Sequence, residues 1–552
     1  MRPLSLRWLA LLVLCVAPVA GTPAAAARAE APPPPAQPAA CFAETGKCAQ
    51  GLAYAYWREN GGLERQGLPL TDEFDEAGAD GRTHRVQYFE RARLELHQEN
   101  VNTPFVVELG LLGREQFDAR YPQGRPPAAT GDACFTETSR CVSGRFLAYW
   151  QGNGGLAQFG YPLSDEFDER GQVDDRTYRV QYFERARFEL HPEKSGTPYE
   201  VLLGLLGRTA FAAKYPRGQP PAATTPAINV WAATTAGLQP AVANLPPRVY
   251  VPDELGNNVA VIDPATYQVV GRFAMGTTPH HVGPSWDLSR LYVNNMGSST
   301  LTEIDAQSGR PLRNIPAAVP YNLYFTTDGS KAIVAAEPYN RLDFYDPQSW
   351  RLLKSVPIAG SGVDHLDFSA DGRYLLVSTE FDGQVVKVDT VNMRVLGALR
   401  VGGQPIDVKL SPDGAVFYVA NQTRNGVSLI DPVSMAEIGF LPTGRGAHGL
   451  AISRDTRYLY VSNRLEGTIA VIDFASRTVA STWPIGGSPD MLQVSPDGSQ
   501  LWASGRFHGR VYVVDTRNGG LLASIPTGTA PHGLTYFPQP GRYSIGHNGV
   551  YR

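Results

Sequence analysis

A polar signature recurs every 41 to 43 residues through the C-terminal half, and this spacing limits the chain to very few folds. Aligning the segments that precede each Asp-containing turn puts His280, Tyr321, Asp364, Ile406, His448, Asp490 and His532 in register. Successive differences are 41, 43, 42, 42, 42 and 42 residues. A period of about 40–45 residues, with each unit reading as four short strands, is the mark of a β-propeller. Seven registered positions predict seven blades over residues 248–540.

Each unit repeats one grammar. An inner strand such as Asp407–Leu410 ends in Ser411-Pro412-Asp413-Gly414, then come Val416–Asn421, Gly426–Asp431 and an outer strand ending near Gly444. Asp-Gly supplies the positive φ that tight turns need. Runs such as TIAVID are apolar without strict alternation, as expected where stacked sheets bury both faces. Residues 248–276 supply three strands without an inner one, and 530–537 supply an inner strand without its continuation. Together they predict one composite blade that clasps the two ends and removes an open edge.

The first forty residues read as targeting sequence rather than fold. Arg2 and Arg7 precede the apolar run Trp8–Val16, and small residues near Ala20–Ala29 offer cleavage sites, so 1–29 is predicted to be a secretory signal. Pro-rich 30–40 follows as an extended tether. No later segment is long and apolar enough to cross a membrane, so the predicted location is secreted, extracellular or attached to the envelope. Outside the signal lie Cys41, Cys48, Cys134 and Cys141, in CFAETGKC and CFTETSRC. An even set at repeated spacing in an exported chain predicts two local disulfides, because no histidine sits beside them at metal-ligand spacing.

Residues 41–125 and 134–218 are copies, with Trp57 and Trp150 93 apart and His97 and His191 94 apart. Their aromatic density predicts small cores built on Trp57 and Tyr88 in one copy and on Trp150 and Tyr182 in the other. Asp72/Glu73 and Asp165/Glu166 admit an acid–base reading but are better explained as capped turns with solvated charges. Residues 219–247 read as a mostly extended linker whose Ile228–Trp231 could pack on the propeller. The tail 541–552 lacks strand grammar, leaving His547 to fold back over the ring or hang free.

Two resemblances follow from these phrases. FGYPLSDEF at Phe159–Phe167 and the aromatic strand after it resemble LGFP-type repeats of exported bacterial proteins. That resemblance implies attachment to a cell-wall or envelope polymer. The first copy departs from it, with Gln66-Gly67-Leu68-Pro69 in place of Phe159-Gly160-Tyr161-Pro162. LYVNN, FYVAN and LYVSN, with VIDP and LIDP, resemble the YVTN-repeat (YncE-like) propellers. Such propellers serve as binding scaffolds, surface-layer components and, less often, enzymes, so the resemblance selects no single activity.

The start of each inner strand faces one mouth of a propeller channel. The register therefore gathers His280, His281, Tyr321, Asn322, Asp364, His365, Asp407, His448, Asp490 and His532 there, with Arg454, Arg464 and Arg506 as a positive rim. Imidazoles and carboxylates suit a divalent metal, for which His281, His365, His448 and His532 are the candidate ligands. The same groups suit a small polar ligand or a protein partner, or they simply hydrate the channel. A hydrolase, lyase or metal oxidoreductase is the competing class, with His281, His365 or His448 as general base beside Asp364 or Asp407. No Gly-x-Ser-x-Gly elbow, phosphate loop or Cys-x-x-Cys-His run supports it. With 49 basic against 53 acidic residues there is no electrostatic footprint for nucleic acid.

Overall fold

The structure, a computed structural model, describes residues 38–78, 81–125, 131–171, 176–224 and 227–552. The expected signal (1–29) and most of the tether (30–40) lie outside the described residues. Among the described residues no helix is long and apolar enough to cross a membrane.

Residues 248–537 form seven four-stranded antiparallel sheets, one per repeat. The inner strands Pro279–Pro284, Asn322–Phe325, Val363–Phe368, Pro405–Leu410, Ala447–Ile452, Pro489–Val494 and Thr535–Phe537 follow one another around the axis. The composite sheet closes as the ends predict, with Arg248↔Phe537, Val249↔Tyr536 and Tyr250↔Thr535 in register. Inner strands are buried along nearly their whole length, while outer strands such as Leu352–Pro357 are mostly exposed. Apolar clusters lie between successive sheets, for example Leu342, Phe344, Leu366, Phe368 and Val377.

A bulge is built into the start of most inner strands. Register shifts occur between Pro279 and Val282, Val363 and Leu366, Pro405 and Val408, Ala447 and Leu450, and Pro489 and Leu492. Two residues after each strand's first position therefore leave the ladder, and a bulge re-aims side chains that would otherwise alternate. This is why adjacent pairs such as His280/His281 and Asp364/His365 reach the same cluster.

The disulfides join Cys41 to Cys48 and Cys134 to Cys141, each across a two-stranded hairpin. The two copies do not have separate cores. The Leu112–Arg120 helix of the first copy packs on the second, with Phe117 5.3 Å from Tyr182 and Tyr121 5.5 Å from Phe167. Reciprocally, the Leu206–Lys214 helix puts Phe211 5.4 Å from Tyr88 and Tyr215 5.3 Å from Phe74. Trp57 and Tyr88 thus fall in different clusters, as do Trp150 and Tyr182, correcting the expected pairing. The exchange works because Gly113 and Gly207 have no Cβ: an added one would lie 1.9 Å from Phe183 O or 2.0 Å from Phe89 O. Trp57 packs instead in a core continuous with the propeller, alongside Ala370, Tyr374 and Trp231.

The linker docks as expected: Val230 N donates to Pro412 O (2.8 Å) and Trp231 Nε1 to Leu410 O (3.0 Å). The tail does neither of the things the sequence suggests. Residues 542–552 form a hairpin inside the channel, with Arg542 N donating to Arg552 O (2.7 Å) and Ile545 N to Val550 O (2.9 Å). It runs in from the end carrying the Asp-Gly turns, pairs Phe325 N with Ile545 O (2.9 Å), and puts its tip at the histidine end. Burial supplies the reason: Tyr543, Ile545 and Tyr551 are 8 % exposed or less, so the tail is core rather than appendage.

Candidate functional site

Six of the ten histidines meet near the axis at the histidine end of the channel. His280 and His532 have centroids 4.0 Å apart, His281 and His532 4.8 Å, His281 and His365 5.3 Å, and His365 and His547 4.5 Å. His448 lies 6.0 Å from His532, and Tyr321 closes one side at 4.3 Å from His280. The hairpin tip supplies His547 with Asn548 beside it, both at positive φ (21° and 47°).

Carboxylates bind this cluster together. His280 Nε2 is 2.9 Å from Glu254 Oε1, whose other oxygen meets Arg506 Nη2 at 2.6 Å. His448 Nδ1 and Arg464 Nη1 lie 3.0 and 3.1 Å from Asp490 Oδ1, and His532 Nε2 lies 3.4 Å from Asp490 Oδ2. His365 Nδ1 faces the Asp364 carboxylate. Asp407 is largely occupied by structure: Oδ1 accepts from Val408 N and Lys409 Nζ, and Oδ2 accepts from Leu450 N on the next sheet.

Burial sets the charge state. It pushes His281, His532 and His547 well below the usual imidazole range and lowers His280 and His448, so five rings are held neutral at pH 7. Burial also pushes His365 down, but Asp364 beside it outweighs this and the net shift is upward. Burial would raise Asp490, yet His448 and then Arg464 hold it far below the usual carboxylate range.

The structure brings together His280, His281, Asn322, Asp364, His365, Asp407, His448, Asp490, His532, Arg464 and Arg506. Arg454 does not join them. It follows Ser453 at the opposite end of its strand, where Nη2 donates to Ser495 O (3.1 Å) and to Gln539 Oε1 (2.5 Å). Six residues of strand separate the two ends by about 20 Å, so closeness in sequence misplaced it.

Above the cluster sits a second ring that the inner-strand register missed. Glu254, Glu380, Gln422, Arg464 and Arg506 fall on one 42-residue spacing at the turn after each second strand, with Glu337 one residue off it. Glu337 and Glu380 lie on neighbouring sheets on one side, and Arg464 and Arg506 on the other. Burial first and Asp364 second push Glu337 up to about 7 and Glu380 up to about 8. One residue further out, Leu255, Tyr339, Phe381, Leu465 and Phe507 form an apolar crown, each more than half exposed. In the N-terminal copies, Phe159 is a core residue (1 % exposed), whereas Tyr161 is half-buried with its hydroxyl on Glu137.

A family model described as YNCE-like beta-propeller matches residues 220–540, more than half of the chain. Among solved structures, Kuenenia stuttgartiensis hydrazine synthase is 21 % identical, covering 48 % of this chain and 92 % of that one at a TM-score of 0.44. A functionally unknown protein from Desulfotomaculum acetoxidans DSM 771 is 17 % identical, covering 53 % and 99 % at 0.48. Dihydro-heme d1 dehydrogenase NirN in complex with DHE is 16 % identical, covering 52 % and 74 % at 0.43. No protein of curated function matches the chain.

Proposed function

Because the chain belongs to the YNCE-like beta-propeller family, whose fold alone selects no activity, we propose its function from the mouth: it is an exported, envelope-associated binding protein that takes a small polar ligand there. The carrying observation is the separation of acids from arginines around that mouth. Asp364, Glu337 and Glu380 lie on one side, where burial first and Asp364 second raise the two glutamate carboxyls, while Arg464 and Arg506 stand on the other. Both carboxylate oxygens of Asp364 are buried, and neither makes an aligned hydrogen bond even though His365 Nδ1 lies against Oδ1. Buried polar atoms left in that state call for a polar partner. A small zwitterion fits: its ammonium faces the three acids and its anionic end faces the arginines. The C-terminal hairpin fills the channel beneath, so the ligand sits at the mouth and does not pass through.

Calorimetry on the full chain with γ-aminobutyrate, and with putrescine and succinate as single-sign controls, tests this reading. The zwitterion binds more tightly than either control, and Glu380→Gln and Arg464→Gln each weaken it. Equal or absent binding of all three probes removes the reading. The attachment role belongs to the N-terminal copies, in line with their LGFP-like phrases. Intact chain is expected to sediment with isolated cell walls and chain lacking residues 38–218 is not; failure of the intact chain to sediment ends that role.

A further inference from the structure

Below the mouth, the hairpin tip changes the chemistry of two propeller histidines. One nitrogen each of His281, His365 and His547 lies within 4.8 Å of the others, and all three residues are buried. Each ring has its Nδ1 turned to an oxygen acceptor. His281 Nδ1 is 2.8 Å from Asn548 Oδ1, His547 Nδ1 is 3.0 Å from Asn322 Oδ1, and His365 Nδ1 faces Asp364. In His281 and His547 an Nδ1–H held in this way leaves Nε2 as the lone pair, the arrangement that orients imidazoles around a metal, while His365 Nδ1 lies against Asp364 without an aligned hydrogen bond. Nε2 of His281 and of His365 are both buried without a hydrogen-bond partner.

We propose that His281, His365 and His547 form a binding site for a divalent late first-row transition ion, with the third ligand delivered by the C-terminal hairpin. Three imidazole nitrogens are a donor set for zinc or copper rather than for magnesium or calcium. The ion joins two propeller sheets to the tail and fixes the tip in the channel. Asp407 Oδ1, 3.8 Å from His547 Nε2, adds negative charge that Lys409 Nζ partly offsets from 2.7 Å.

Of three other trios, that of His84, His97 and Glu99 lies in the first N-terminal copy, and the two at the channel are less suited. His448, Asp490 and His532 already hold the Arg464 guanidinium, which lies 3.1 Å from both His448 Nε2 and Asp490 Oδ1. In the trio of His280, His281 and His532, His280 Nε2 is taken by Glu254, and Arg506 acts on all three rings. In the hairpin trio Arg506 acts on His281 but no guanidinium is bonded to a ring, and the trio meets the ligand proposed at the mouth only through Asp364.

The test uses full chain without a polyhistidine tag, stripped with chelator and re-equilibrated with Zn²⁺, with metal measured after gel filtration and affinity by competition with a chromogenic chelator. Wild type takes up one equivalent, and Co²⁺ in its place gives a visible d–d band. His547→Ala and His365→Gln each abolish uptake. Asn548→Ala keeps all three imidazoles and weakens affinity by about 10- to 100-fold. Should His547→Ala fail to fold, the Asn548→Ala affinity and the Co²⁺ spectrum decide. Wild type without bound ion overturns the proposal, as does unaltered affinity in Asn548→Ala. Loss of the ion in His448→Ala but not in His365→Gln overturns it too, by placing the ion in another trio.

Discussion

Arg552 Nη1 donates a 2.8 Å hydrogen bond to Asn102 Oδ1, joining the last residue of the sequence to the first N-terminal copy 450 positions away. The same guanidinium meets Asp367 Oδ1 at 2.6 Å and Phe368 O at 3.1 Å, and it lies over the Trp231 ring at 4.6 Å. One buried cation thus touches the N-terminal copy, the linker and an inner strand. Removing it strands the buried Asp367 charge, so Arg552→Ala is expected to cost about 3–5 kcal/mol. Arg552→Lys is expected to restore little, because an ammonium cannot reproduce the fork of contacts. Thermal unfolding of the full chain reads the loss, and amide exchange at Asn102 and Ile545 should rise together. An unchanged melting temperature in Arg552→Ala would show that the latch has no energetic weight.

The exchanged helices make a second prediction. An alanine at Gly113 would set its Cβ 1.9 Å from Phe183 O, a backbone atom that cannot rotate away. Gly113→Ala should therefore cost at least about 1–3 kcal/mol. Its damage should surface in the other copy, as faster exchange along Thr177–Tyr182. Gly152→Ala is the contrast, since nothing lies within 4 Å of an added Cβ there. If exchange quickens only within residues 41–125, the helices are not shared in solution.

How much of this was legible depends on periodicity. The inner-strand register placed His280, His448, Asp490 and His532 correctly because each sits at one phase of a repeat whose geometry recurs sheet by sheet. The same logic would have found Glu254, Glu380 and Gln422, one register further on, had Arg464 and Arg506 been read as members of it. Arg454 is six strand residues from the mouth, so nearness in sequence does not bring it near in space. His547 lies in a unique, aperiodic segment, so no register could place it. The helix exchange was hidden for the opposite reason: the copies are so alike that cis and trans packing satisfy one pattern, and Gly113 and Gly207 are the sole local trace.

Glu380 gives a pH signature. Burial first and Asp364 second raise its carboxyl from 4.5 to about 8, with Glu337 adding to this and Arg464 and His365 opposing it. Between those values the folded chain binds more protons than the unfolded one, so stability falls as pH rises through the window. The cost is absent below pH 4.5 and complete above about pH 8. Glu380→Gln removes the titrating group. Its melting temperature should match wild type near pH 4.5 and exceed it by a margin that grows to about pH 8 and levels off above it. A constant offset across that range would mean that Glu380 is not protonated in the folded chain.

Asp490 has the reverse sign and allows a sharper test. Its folded carboxyl lies below the ordinary 3.8, so its contribution is present above that pH and is lost as pH falls toward the folded value. Arg464 supports it from 3.1 Å and is itself steadied by Phe507, whose ring centroid lies 5.3 Å from the guanidinium carbon. Arg464→Ala leaves a buried carboxylate with imidazoles beside it and Arg506 as its one remaining cation, and about 3 kcal/mol should be lost at pH 7. The penalty should shrink below pH 4, where protonation answers the missing charge. Asp490→Asn placed in the Arg464→Ala background should recover much of the loss at pH 7, because the second change removes the charge that the first one strands. Additive losses in the double variant would mean that the two side chains act separately, and that the mouth is held together by packing rather than by this ion pair.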